Sequence, residues 1–206
     1  RRGKFISFEE LRTIIHSRAS IRKRASDFFT VIVEANPKIA LKEKLYPNAN
    51  IFFNLALTDD KHSPVSIAKL YIGNRGELSQ GNSIFQKKDN LNDGSHIATF
   101  GVSTVDFFRE LALYLDNQFK DYEVLLRLNC EGVEDDVIYS TFSSFGNKLK
   151  LICGSLKDVK ELKGLDASKK LDDFISDNNL VFKKFDTGIP SWPEAHKAVL
   201  SLLEKR

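Results

Sequence analysis

Residues 121–155 constrain this chain more than any other stretch, because they read as strand, acidic turn, helix and strand in immediate succession. Tyr122–Leu128 (YEVLLRL) is rich in aliphatic and β-forming residues, and Asn129-Cys130-Glu131-Gly132 interrupts it. Val133–Phe145 then carries apolar residues at helical spacing, Gly146 stops that helix, and Lys148–Cys153 (KLKLIC) is a second strand. Two strands joined through a helix of this length run parallel, and parallel sheets place their ligands beyond the carboxyl ends of the strands. That reading puts Glu131, Glu134 and Asp135 at such an end.

The surrounding sequence extends the pattern. Ser7-Phe8-Glu9-Glu10 is a capping box, which predicts a helix from Phe8 to about Arg18. Ile21, Ala25, Phe28, Phe29 and Ile32 share one face at 3.6-residue spacing and predict a second helix over Ser20–Ala35, with Pro37 ending or restarting it. From 51 to 100 the signals are those of short strands: Ile51–Leu57, Val65–Ile72, a piece near Ser83–Gln86 and His96–Phe100, separated by Gly/Asn/Asp turns. Ser103 opens a helix with Val105, Phe108, Leu111, Ala112 and Leu115 in one stripe. Further helices follow at 168–177 and from Trp192, with a strand at Leu180–Phe185 between them. The fold class is therefore mixed α/β. Its sheet is antiparallel in a meander over about 51–100 and parallel in a βαβ part over about 122–185, flanked by helices. A basic helical section, residues 1–47, precedes an α/β domain of residues 48–206, the two forming one structural unit.

Charge is distributed unevenly. Residues 1–50 hold 11 Lys or Arg against 5 Asp or Glu, a net of +6, and the whole chain is +3, so residues 51–206 carry −3. A basic front end is the electrostatic footprint of nucleic-acid binding, and equally of a solvated helix face. Arg12, Arg18, Arg22, Lys23 and Arg24 are the candidate contacts, with Arg18 and Arg22 four apart on one helix face. They lack interleaved aromatics, so stacking on single-stranded bases is not indicated. No apolar run approaches the roughly 20 residues that span a bilayer, so no membrane partner is expected. Two cysteines make no disulfide framework, which points to a reducing, cytoplasmic setting. A chain with no methionine that starts at Arg1 is expected to be a fragment of a longer protein.

The acidic turn is the candidate metal site. Clustered carboxylates at a strand end can hold Mg²⁺ together with phosphate. The run Glu131-Gly132-Val133-Glu134-Asp135 has the form E-G-x-x-D and resembles the first half of the Toprim signature. That resemblance, which covers Tyr122–Ser155, implies metal-dependent phosphodiester chemistry using the Glu and an Asp pair. The family's third strand, ending in D-x-D, has no counterpart: Asp172-Asp173 falls in an expected helix and Asp186 stands alone. Acidic residues in a helix's first turn are also explained by the macrodipole alone.

Cys130 and Cys153 end neighbouring strands, as a redox pair or as small buried hydrophobes. Asp186-Thr187-Gly188 resembles the aspartic-protease tripeptide, but that chemistry needs a second carboxylate and no second copy exists. His16, His62, His96 and His196 are scattered without zinc-ligand spacing, and phosphate-loop and nucleophile-elbow motifs are absent. The expected function is thus a non-catalytic or regulatory module of a larger intracellular protein, binding nucleic acid or another protein through its basic N-terminal helices. The alternative is a Mg²⁺-dependent phosphoryl-transfer or nuclease-type enzyme at Glu131, Glu134 and Asp135. A further alternative is an oligomerisation scaffold built on the amphipathic C-terminal helix. No cofactor is expected except Mg²⁺ under the enzyme reading.

Overall fold

The computed structural model describes residues 8–41, 48–59, 65–74, 76, 81–88, 91–185 and 192–204. In chain order the elements are α1 (Phe8–Lys23), β1 (Val31–Val33), α2 (Pro37–Ala40), β2 (Ile51–Phe53), β3 (Ala56–Thr58), β4 (Val65–Gly73), β5 (Leu91–Ser103) and α3 (Thr104–Gln118). They continue with β6 (Val124–Arg127), α4 (Glu134–Phe145), β7 (Leu149–Gly154), α5 (Lys157–Lys163), α6 (Leu165–Asp177), β8 (Phe182–Lys184) and α7 (Trp192–Glu204). The fold is mixed α/β.

The parallel unit forms as its sequence requires. β6 lies beside β7 in the same direction, with Leu125 opposite Leu151 and Arg127 opposite Cys153, and α4 makes the crossover. β8 adds to the other edge of β7, also parallel. A parallel sheet needs cover on both faces, and its strands supply apolar side chains to each. Ile152 joins Leu128, Val137, Ile138, Phe107, Phe108 and Leu171 in the main core. Leu151 and Cys153 point the other way and pack with Ala195, against Leu125, Phe185 and Val199. That second face is covered by α7, and α1 lies along α7 in turn. Ser17 Oγ meets His196 Nδ1 at 2.9 Å, and Arg24 donates to the Leu203 carbonyl at 2.8 Å.

Three differences from the sequence reading have physical causes. α1 runs without a break to Lys23, because the Ser20 hydroxyl donates back to the His16 carbonyl at 3.0 Å and caps nothing. No helix spans Ser20–Ala35: after α1 comes one 3-10 turn at Ala25–Asp27, and the β-branched run Val31–Val33 pairs with Ile51–Phe53 in parallel. Asn36 caps the next helical turn, accepting from the Lys38 N–H. Among the described residues the strands also divide into three sheets. β1–β2 is parallel, β5 sits between parallel β3 and antiparallel β4, and β6–β7–β8 is the parallel unit. The antiparallel pairing over 51–100 is thus β4 against β5, and the Ser83 region contributes a single bridge to Tyr71.

Candidate functional site

The acidic turn is built by backbone geometry that few residues accept. Glu131 has φ of 59° and Gly132 φ of 129°. A side chain at position 132 would meet Leu162 Cδ1 at 2.6 Å and Phe85 Cδ2 at 2.7 Å. The turn therefore closes tightly between β6 and α4, and its carboxylates leave in different directions. Glu134 is 2% exposed and folds back, accepting N–H bonds from Cys130 at 3.1 Å and Gly132 at 2.8 Å. Burial pushes its pKa up to about 7, and the nearby Asp158 adds to this, against the backbone N–H donors that favour the charged form. Glu131 pairs with Lys88, which also reaches Asp158 at 3.1 Å. Asp135 and Asp136 share Lys163 at 2.7 and 2.6 Å. Burial lowers the Lys163 pKa, but hydrogen bonds to both aspartates more than offset that and leave it raised.

Residues 83–88 lie over this turn. Ser83 Oγ donates to the Glu131 carbonyl at 2.6 Å, and Lys163 sits 5.7 Å from the centroid of the Phe85 ring. The structure therefore brings Glu131, Glu134 and Asp135 to one turn but hands each to a different partner. Among the described residues no three His, Cys, Asp or Glu side chains converge on a point that a metal ion can occupy.

Cys130 and Cys153 are both free thiols. Burial, with Glu134 next, pushes Cys130 up to about 12, and burial pushes Cys153 up to about 11, so neither supplies the thiolate that redox chemistry uses. Asp186-Thr187-Gly188 lies outside the described residues.

The basic candidates on α1 separate into two groups. Arg12, Arg18, Arg22 and Lys23 are exposed. With about 100° of turn per residue they fall within roughly half the helix circumference, opposite Ser17, Ile21 and the α7 contact. Arg24 is different: its guanidinium is held by Asp27 at 2.6 Å and by the Leu203 carbonyl, so it ties α1 to the end of α7.

Beside this helix lies a cavity of about 370 Å³ that the sequence reading did not anticipate. It opens where α1 and the following turn pass over the parallel sheet, at Arg127, Cys153 and Phe185 near the carboxyl ends of β6, β7 and β8. Arg22 and Arg127 are among its lining residues, and Ile21, Phe28, Leu125 and Val199 make the apolar part. Arg127 lies over the Phe185 ring, 5.0 Å from the centroid. His196, whose pKa is lowered by burial and then by Arg18, completes one side as a largely neutral imidazole. Position 127 carried a signal in the sequence: a lone cation ending an otherwise aliphatic strand (VLLR) has to leave the core there.

No protein-family model matches this chain, and no curated protein matches it. Among the described residues no helix is long and apolar enough to cross a membrane.

Proposed function

We propose that this chain is a non-catalytic nucleic-acid-binding α/β module, docking through the outward side of α1. One observation carries the reading: Arg12, Arg18, Arg22 and Lys23 are exposed on one half of a helix whose other half is committed to α7. A row of exposed cations along one side of a helix matches the regular charge of a phosphate backbone. A protein partner would be expected to engage apolar or aromatic anchors, and the described part of this face offers only Ile15. The sealed acidic turn supports the same choice, since its carboxylates already have lysine or backbone partners. Mg²⁺-dependent chemistry there would first require Lys88 and Lys163 to withdraw.

Four phosphate contacts predict a log–log salt slope of about −3 to −4, so affinity falls about 100-fold between 50 and 200 mM salt. Fluorescence anisotropy with a labelled single-stranded and a labelled duplex oligonucleotide reads this directly. The triple change Arg12→Glu, Arg22→Glu, Lys23→Glu is expected to abolish binding while the circular dichroism spectrum stays unchanged. Equal affinity in the folded triple variant, or no binding by the unaltered chain at 50 mM salt, overturns the reading.

A further inference from the structure

Arg22 belongs both to the outward side of α1 and to the wall of the 370 Å³ cavity. A strand of nucleic acid lying along α1 would pass the mouth of that cavity. Its volume is at the small end of the range of about 300–1,000 Å³ typical of small-molecule sites. It also occupies the place where parallel sheets bind ligands, at the carboxyl ends of β6 and β7.

Its lining is chemically divided. Arg22 and Arg127 supply positive charge, and among the described residues neither guanidinium is paired with a carboxylate. The rest of the wall is mainly apolar, with Phe28 and the Phe185 ring under Arg127 providing flat surfaces. A small inorganic anion would leave that apolar wall unused, and a purely apolar ligand would make no use of the two lining arginines. The fit is to a molecule with a phosphate at one end and a flat, weakly polar body at the other. Arginine suits the phosphate because its planar fork can donate two bonds at once, and it stacks on aromatic faces.

We propose that this cavity holds one nucleoside monophosphate unit, its phosphate between Arg22 and Arg127 and its base in the apolar part. The proposal deepens the nucleic-acid reading, on which it rests for the source of the ligand: the unit is either the 5′-phosphorylated end of a strand or a free nucleotide.

Isothermal titration of the full chain with adenosine 5′-monophosphate, adenosine and inorganic phosphate tests the pocket without any polymer. The monophosphate is expected to bind at least tenfold more tightly than either part. Arg127→Gln should reduce that affinity at least tenfold, and Arg127→Lys, which keeps the charge but not the fork or the stack, should fall between. Arg12→Glu with Lys23→Glu should weaken it less than Arg127→Gln does. Anisotropy then separates the sources: a 5′-phosphorylated oligonucleotide that outcompetes its unphosphorylated twin, with the preference lost in Arg127→Gln, identifies the strand end. No such preference, together with monophosphate binding, identifies the free nucleotide. Binding of the monophosphate with no polymer binding would sink the α1 reading and leave the pocket standing. No monophosphate binding by the unaltered chain, or equal binding by an Arg127→Gln protein with an unchanged melting temperature, overturns the pocket.

Discussion

Glu134 shows how far a single residue's role departs from its motif. In the sequence it is the middle carboxylate of an apparent metal cluster; in the fold it is the internal brace of the turn, holding the Cys130 and Gly132 N–H groups. Burial raises its pKa from 4.5 to about 7. A raised carboxyl pKa means that the folded chain binds more protons than the unfolded one between these values. The stabilising contribution is therefore full below about pH 4.5 and is lost as pH rises through 7. Glu134→Gln does not titrate, so the stability of the unaltered protein relative to this variant is expected to fall by about 3 kcal/mol over that window. His196 titrates in both proteins and cancels from the difference. Urea unfolding of the pair at pH 5, 6, 7 and 8 reads the effect, and a pH-independent difference would remove the argument. At the neighbouring position, Gly132→Ala meets both a φ of 129° and the Leu162 and Phe85 side chains. A cost of about 2–4 kcal/mol is expected, visible as a lower urea midpoint. The carboxylates were legible from the sequence as a cluster, but their partners were not. Lys88 and Lys163 stand 43 and 32 residues from Glu131 in the chain, and only the tertiary fold brings them to the turn.

Between elements, the decisive contact is α1 on α7. The basic residues at 22, 23 and 24 look alike in sequence, and only packing separates them. Arg24 faces the last turn of α7, where a cation both satisfies an orphan carbonyl and opposes the helix dipole. Arg24→Ala is expected to cost about 1–2 kcal/mol by fraying that turn, with the m-value unchanged. Nucleic-acid affinity should change little, since Arg24 is not on the outward half of α1. Arg22→Ala should show the reverse: near-native stability and weakened binding. A pair of variants that failed to separate in this way would mean that the two arginines share one role. The parallel unit was readable because every step of it is local: a strand, a turn, a helix and a strand within 35 residues. β1 was not readable as a strand because Phe28, Phe29 and Ile32 sit at helical spacing by coincidence. In the fold Phe28 and Ile32 are only half-buried, and Phe29 stays exposed while keeping ring contacts with Tyr114 and Phe119.

At the scale of the whole molecule, the described part of residues 1–47 reaches the main core of the remainder through Val33. Val33 and Phe53 both pack against the main core, and β1 supplies the strand to which β2 bonds. α1 covers α7, which in turn covers one face of β6–β7–β8. Removing 1–47 would therefore unpair an edge of β2, uncover α7 and leave Phe119 without Phe29. None of those losses is confined to the point of cutting. Composition suggested a basic front end attached to an α/β body, because charge changes near residue 50 while the hydrophobic pattern does not reveal which strand will pair with which. Pairing is set by the whole chain's packing. If the packing is as continuous as these contacts make it, the full chain unfolds in one cooperative transition in which circular dichroism and backbone hydrogen exchange agree. A fragment of residues 48–206 should then be expanded, bind a hydrophobic dye and melt without a sharp transition. A fragment that kept the full chain's midpoint and cooperativity would show that α1 and β1 are appended to a complete domain. The basic helix would in that case be free to reorient on its partner, and the cavity between α1 and the sheet would not have a fixed shape.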